Sequence, residues 1–482
     1  MVYPSTPLPI DHFQGLGRIV GDSSETLVAL LNTVGASMRR FETTQDVTLY
    51  IDPVNGSDSN DGLSASRPIR TCAFLRTLIP YRVKHNITVN FAAGDLDPLT
   101  LMGMLIDPVY RGGSSRVSFL GTTGLKTLTT GANTGNPSVA LQDYIEKPVG
   151  AADWTVNEMV GELLFVVAGP GIGKKFLIRS NTGTRMYLAK ITSSPLNVLD
   201  TFEVRERKTK INCSTYGAFG FGGLELLGIN GNDGGVNAAC FQISDFDFYN
   251  PGYFYGIFMG ASSGHLQLRR CRSRAGAGLG VMKCSYVDLN ETAFVEPDGS
   301  SVQLGASDSA SVGFALCVLK GGLHLGFADC LESVILRSWV DIRRALTFTR
   351  CYGQVFQNDF NNTEFAVQNC QAFDTLMNSI HNAPGEGLEV TDTALLYMWM
   401  DNFSSNTKNG IRAVRSKIFA DSLLGSLNGQ HGIQLENGSF LEDAGSNVLT
   451  GALGDLKPGA LAAQAWAAGP TTDPTQLVRI HT

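Results

Sequence analysis

Leu325-x-Phe327-x-x-Cys330, Leu346-x-Phe348-x-x-Cys351 and Phe365-x-Val367-x-x-Cys370 spell one phrase three times: apolar, any, apolar, two of any kind, then a small or sulfur-bearing side chain. Upstream the phrase reads Phe241-x-Ile243-x-x-Phe246, Leu266-x-Leu268-x-x-Cys271 and Val287-x-Leu289-x-x-Thr292. Downstream it continues as Leu388-x-Val390-x-x-Thr393, Ile411-x-Ala413-x-x-Ser416 and Ile433-x-Leu435-x-x-Gly438. Successive copies begin 25, 21, 38, 21, 19, 23, 23 and 22 residues apart. Residues i and i+2 share one face of a strand, and short strands recurring every two dozen residues or so are the signature of a solenoid. Leucine-rich repeats have a comparable length but need a Leu-rich consensus with a fixed Asn, and helical repeats need a longer unit with a 3.6-residue period. Neither is present. In a parallel β-helix each turn stacks about 4.8 Å above the last, so Cys271, Cys330, Cys351 and Cys370 are expected to form part of one internal ladder. The 38-residue gap contains the Ser/Gly/Asp-rich stretch from Asp298 to Ser311, read as a looped-out or distorted rung.

Composition agrees with an all-β repeat. Of 482 residues, 54 are Gly, well above the usual ~7%, and only 17% are charged, too few for a long helical protein. The 43% hydrophobic content excludes general disorder. Thirty-seven basic against 44 acidic residues, with no basic run, exclude an electrostatic footprint for nucleic acid. No apolar run is long enough to span a bilayer, and Met1-Val2-Tyr3-Pro4-Ser5 does not open a signal peptide, so synthesis in a cytoplasm is expected. The nine cysteines lack C-x-x-C spacing; buried thiols are expected in place of disulfides or a zinc site. No cofactor and no metal site is expected.

Five segments follow. Residues 1–45 form a lead-in with one amphipathic helix, carried by Leu27, Leu30, Leu31, Val34, Met38 and Phe41 after Asp22 and Glu25. Residues 46–150 begin the solenoid, and 151–210 carry hairpin signals, with Leu163 to Val167, Phe176 to Ile178 and Met186 to Ile191 separated by Gly/Pro and Asn/Gly turns. Residues 211–450 carry the rungs. The Ala/Gly/Pro-rich stretch 451–482 reads as a trailing linker.

The run Leu49-Tyr50-Ile51-Asp52-Pro53-Val54-Asn55-Gly56-Ser57-Asp58-Ser59-Asn60-Asp61-Gly62, followed by Arg67-Pro68-Ile69-Arg70-Thr71, leads a short strand through a turn-rich loop into a candidate helix. Asp58, Asn60 and Asp61 lack the distal Glu of a calcium loop. This "strand, G-S-D-x-N-D-G, P-x-x-T" opening resembles that of pectate-lyase-like proteins. With the rungs it identifies a resemblance, over about residues 46–450, to the right-handed parallel β-helix superfamily of pectate lyases, glycosidases and phage tailspikes. The segment around Gly171 to Thr182 resembles a small β-insert of phage tail proteins and is expected to project from the shaft. A large carboxy-terminal trimerisation or receptor domain, common in tailspikes, is not expected within residues 451–482, which leaves room for a collar, whisker or head-decoration role.

The resemblance implies a phage virion appendage, a tail spike, tail fibre or collar/head decoration. Its expected partners are two further copies in a homotrimer, other virion proteins and a host surface polysaccharide. Two readings compete: a polysaccharide depolymerase of the same fold, and a bacterial surface adhesin or lyase. Candidate carbohydrate-binding residues are Trp339 with Asp341 and Trp399 with Asp401, each pair placing an indole and a carboxylate at i and i+2. The competing reading is that both indoles fill the tube or a subunit interface. Asp245, Asp247, Asp359 and Glu364 are further candidate acids, and no catalytic residue is assigned. Three apparent motifs are set aside. Ala168 to Lys175 only nearly spells a phosphate loop and reads as a hairpin turn. Gly260-Ala261-Ser262-Ser263-Gly264 lacks a strand–turn–helix context. His265 and His324 each precede a rung strand without metal-ligand spacing.

Overall fold

The computed structural model describes residues 43–80, 82–102, 105–106, 116–141, 143–189, 196–213, 222–227, 240–249, 255–274, 277–295, 303–307, 309, 311–321, 324–342, 345–443, 448–452, 454–458 and 465–467. The lead-in helix expected within residues 1–45 lies outside them. The described chain is nearly all β, with one short helix, Cys72–Leu78. Its body is a parallel β-solenoid in which each full turn lays down three strands, one on each of three faces. A typical turn runs His324–Ala328, Glu332–Leu336 and Trp339–Ile342, and the next runs Ala345–Thr349, Gly353–Phe356 and Asp359–Asn361. Each strand pairs in parallel with its successor one turn on, Leu325 with Leu346, Ile335 with Val355 and Trp339 with Asp359. The third face is a 12-stranded sheet; the first and second belong to one 24-stranded sheet, joined where Tyr255–Arg269 and Ala277–Asn290 run unbroken across the corner.

The corners explain the repeating phrase. At the corner between the first and second faces, Asp329, Arg350, Asn369, Asp392 and Arg415 adopt positive φ of 55°, 53°, 55°, 51° and 48°. Such a conformation turns the chain sharply but is uncommon for residues with a side chain. Its cost is offset because every corner amide finds a carbonyl on the next turn, for instance Asp329 N–H to Thr349 O at 3.0 Å and Asp392 N–H to Val414 O at 3.0 Å. The next residue points inward, where little room remains: Cys330, Cys351, Cys370, Thr393 and Ser416 are all buried. The small final position of the phrase is therefore the inside of a corner.

Two expectations need correction. Cys330, Cys351 and Cys370 do align, the Cys351 amide donating to the Cys370 Sγ at 3.4 Å. Cys271 belongs to the other column, at the corner between the second and third faces, which continues through Thr292, Cys317, Ser338, Asn358, Asn378 and Asp401. The copies beginning at 241, 266 and 287 lie on the second face, and those from 325 onward lie on the first. The 38-residue gap is this change of face. Within it, Gln303–Ser307 pairs in register with His324–Ala328, and Ser311–Ala315 with Glu332–Leu336, so these strands stack as regular rungs; residues 298–302, 308 and 310 lie outside the described residues. Strand pairing also continues past residue 451, with Gly454–Pro458 beside His431–Glu436 and Ala465–Ala467 beside Phe440–Asp443.

The interior is rich in stacked aromatic side chains. Phe327 stacks on Phe348 at 4.7 Å and 9°, and Phe348 meets Phe373 at 4.7 Å and 64°, contacts worth roughly 0.5–1.5 kcal/mol each beyond area burial. Cys72, Cys213, Cys271, Cys317, Cys330, Cys351 and Cys370 are buried and unbridged. In the opening loop, the Asp58 carboxylate accepts from the Arg70 and Thr71 amides at 2.9 and 3.0 Å and from the Thr71 hydroxyl at 2.8 Å, and Thr71 in turn caps Cys72–Leu78. These donors hold the Asp58 carboxyl below its usual range against the opposing effect of burial.

An antiparallel sheet interrupts the solenoid between its first turns. It is built from Thr123–Leu125, Thr134–Gly135, Tyr144–Glu146, Leu163–Ala168, Lys175–Asn181, Arg185–Leu188 and Thr201–Arg207, with the 169–174 stretch as a hairpin turn. One face encloses a core of its own around Trp154, Leu164, Ile178 and Phe202. The other does not project: Leu163, Leu177 and Ala189 pack on Ala293, Val318 and Trp339 of the solenoid's third face. A buried charge network ties the two together. Glu162 of the insert pairs with Arg272, with Lys126 at 3.0 Å and with Arg207 at 3.6 Å. Asp247 of the solenoid pairs with Arg272 at 2.8 Å and Arg274 at 2.6 Å. Burial alone would raise the Asp247 carboxyl, but these guanidinium groups hold it far below the carboxylate range, while burial pulls Arg207 down to about 10.

Candidate functional site

The two indole–carboxylate pairs part company. Trp339 and Asp341 do share the outward side of Trp339–Ile342, but the insert covers the indole, leaving 6% exposed, with Arg179 and Lys320 each 5.8 Å from its ring. Asp341 accepts from the Asn362 side chain at 3.0 Å. Trp399 is half exposed, whereas Asp401 is fully buried. Met400, at φ 55°, lies between them and makes the corner; residues i and i+2 share a face only within a strand. Trp339 sits on the third face and Trp399 on the second, so the four residues form no common site.

Three of the further acids are committed to cations. Asp245 pairs with Arg270 at 2.7 Å, Asp247 with the buried network, and Asp359 with Arg179 at 2.8 Å and His381 at 2.8 Å. Burial of Asp359 works against its charge, and His381 and Arg179 outweigh it, holding the carboxyl low.

Trp399 lines a groove of about 430 Å³ on the second face. Consecutive strands Gly353–Phe356, Phe373–Leu376, Leu396–Trp399 and Lys417–Asp421 present two outward columns. The register aligns Gln354, Asp374, Tyr397, Phe419 and Glu442 in one, and Phe356, Leu376, Trp399 and Asp421 in the other. Thr375, Met398 and Ala420, all buried, lie beneath the groove between the two columns. Tyr397 stacks on Phe419 at 5.1 Å and 17°, and Lys417 lies 4.4 Å from the Phe419 ring. Tyr397 and Trp399 are 47% and 51% exposed, an unusual state for side chains of that size beside one another. Asp374 accepts from the Tyr352 hydroxyl at 3.4 Å and the Gln354 amide at 3.3 Å; Asp421 accepts from the Ser422 hydroxyl at 2.8 Å.

Asp374 and Asp421 lie two turns apart along the axis and two residues apart across it, which places their Cα atoms about 12 Å from each other. That exceeds the roughly 5–5.5 Å between carboxyl groups of a retaining glycosidase, and an inverting pair at roughly 6.5–9.5 Å requires both side chains to lean inward. The arrangement suits stacking of sugar rings on Tyr397, Trp399 and Phe419, with carboxylates accepting from hydroxyl groups at either end. Sequence reasoning reached Trp399 and missed Tyr397, Phe419, Asp374 and Asp421. Their signal was the outward alternation Tyr397-x-Trp399 and Phe419-x-Asp421, visible once each turn is aligned on its corner residue.

Fold and site together define a parallel β-solenoid with an aromatic, carboxylate-flanked groove along one face. No protein-family model matches the chain, and no curated protein matches it. Among solved structures, a GH136 lacto-N-biosidase from Eubacterium ramulus is similar at 8% identity and a TM-score of 0.29, over 91% of this chain and 70% of that one. The tailspike of Acinetobacter baumannii bacteriophage AP22, solved in complex with A. baumannii capsular saccharide, is similar at 8% identity and a TM-score of 0.20, over 77% and 71%. The tailspike of Pseudomonas phage LKA1 matches at 9% and 0.20, over 81% and 69%. At such scores the functional reading rests on the geometry of this chain alone.

Proposed function

We propose that this chain is the shaft of a phage virion appendage, a tail spike, tail fibre or collar/head decoration, that binds a host surface polysaccharide through the second-face groove. The observation that carries the binding reading is the adjacent exposure of Tyr397 and Trp399 between two carboxylates, on strands whose inward residues are locked in the core. Stacked turns make a stiff rod, as an appendage needs, and assembly as a homotrimer would cover exposed apolar groups such as Leu331, Leu424 and Leu427. Placement on the virion surface, after synthesis in the host cytoplasm, belongs to the same proposal. The test is binding of the purified chain to extracted capsular and lipopolysaccharide glycans, compared with Trp399→Ala. Saturable binding that falls at least tenfold in the variant is the expected result; equal binding by both overturns the assignment of the groove.

A depolymerase is the second reading, favoured by the two carboxylates facing one groove. Release of new reducing ends from a bound polysaccharide, abolished by Asp374→Asn or Asp421→Asn, would establish it in place of simple binding.

A further inference from the structure

We infer that the groove selects a polysaccharide whose repeat unit carries no carboxylate or phosphate, a neutral or amino-sugar chain. This rests on the reading of the groove as a glycan site and narrows it to a charge class. Its formal charges are those of Asp374 and Asp421, and Glu442 continues the Tyr397–Phe419 column on the following turn. Among the described residues, neither Asp374 nor Asp421 is in an ion pair.

The guanidinium groups beside this face are engaged with partners outside the groove, and Lys417, on the strand that carries Phe419, rests on the groove's own aromatic column. Arg350 forms a two-point pair with Asp329 at 2.6 and 2.6 Å, and Arg415 does the same with Asp392 at 2.5 and 2.8 Å, both along the corner that borders the face. Arg337, at the opposite corner, donates to Gln357 at 2.8 Å. Lys417 lies over the Phe419 and Phe440 rings, 4.4 and 5.4 Å from their centroids. Recognition of a sugar carboxylate or phosphate uses a guanidinium fork or an ammonium free to meet it, and the groove offers acceptors instead. Carboxylates take hydrogen bonds from vicinal hydroxyls or pair with a sugar ammonium, and the exposed Trp399 face adds a cation–π site for the same ammonium. An acidic sugar on this surface meets like charge at both ends, a repulsion weakened by salt but not reversed.

Matched polymers isolate charge from stereochemistry. Acidic bacterial polysaccharides and their carboxyl-reduced, neutral counterparts are arrayed with neutral and amino-sugar polymers and probed with the full chain, Trp399→Ala and Asp374→Asn/Asp421→Asn. The expected result is Trp399-dependent binding to non-acidic polymers, at least tenfold stronger for a reduced polymer than for its acidic parent, with the double Asn variant narrowing that ratio. An acidic polymer bound through Trp399 as tightly as its reduced form overturns the charge selection and leaves the glycan site standing. An array without any Trp399-dependent binding sinks the glycan site, and the charge selection with it. Circular dichroism of the variants separates lost binding from lost fold.

Discussion

Replacing Asp401 by Asn is expected to stabilise the protein at neutral pH and to do nothing for it in acid. Asp401 ends a ladder of buried amides: the Asn358 side chain donates to Asn378 Oδ1 at 3.0 Å, and the Asn378 side chain donates to Asp401 Oδ1 at 2.9 Å. Its carboxylate also accepts from the Asn378 amide at 2.8 Å and the Thr375 hydroxyl at 2.5 Å. Burial outweighs these donors and pushes the carboxyl from 3.8 up to about 6. A folded-state value above the unfolded one means that the folded state prefers the proton. The corresponding stability is therefore present below about pH 4 and is lost as pH rises through about 6. About two units correspond to roughly 3 kcal/mol at most.

Asn keeps the shape and removes the charge. Asn358 and Asn378 donate to the carbonyls of Ile335 and Val355 at 2.9 and 2.7 Å, and Thr375 holds the next place in that register, so an amide at 401 finds an acceptor. Guanidinium unfolding followed by circular dichroism should show Asp401→Asn more stable than the parent by about 1–3 kcal/mol at pH 7.5, with the difference nearly gone at pH 4. An equal gain at both pH values, or a loss at both, would refute the argument that an uncompensated charge sits at the end of the ladder.

Arg272→Met should destabilise by roughly 3–5 kcal/mol, because it strips the shared cation from buried Glu162 and Asp247; limited proteolysis should then cut the insert before the solenoid. Gly353→Ala should cost about 1–3 kcal/mol or more, since a Cβ there would stand 2.0 Å from the Phe373 ring, and a thermal unfolding curve no lower than the parent's would contradict the close packing at that turn.

The solenoid was legible because its core obeys a local rule: strand alternation followed by a corner that admits only small inward groups. The same phrase occurs on the second face as Val312-x-Phe314-x-x-Cys317, Phe373-x-Thr375-x-x-Asn378 and Leu396-x-Met398-x-x-Asp401. Local spacing cannot tell one face from another, which is why Cys271 was assigned to the wrong column and the change of face read as a distorted rung. Arg350, Met377 and Met400 occupy positive-φ corners where propensity predicts Gly or Asn; the hydrogen bond to the neighbouring turn overrides propensity there. The cover over Trp339 was illegible for a different reason. What covers the indole comes from residues 163–189, at least 150 positions earlier in the chain, and no periodicity reports such a contact.

A solenoid strand divides its residues between stability and recognition one by one, and Leu396–Trp399 offers a direct test of that division. Met398 is 2% exposed and faces the core, while its neighbour Trp399 is 51% exposed and faces the groove. Met398→Ala should cost roughly 2–5 kcal/mol through lost burial and the cavity left behind, yet the surviving folded protein should keep its glycan affinity, because the outward columns are held by the strand pairing of Leu376, Trp399 and Asp421. Trp399→Ala should change stability by no more than about 0.5 kcal/mol and remove most of the binding. Unfolding midpoints and glycan affinities measured on both variants decide the matter. If Trp399→Ala unfolds the chain as readily as Met398→Ala, the indole is part of the packing of an interface between copies, and the groove is not an open site.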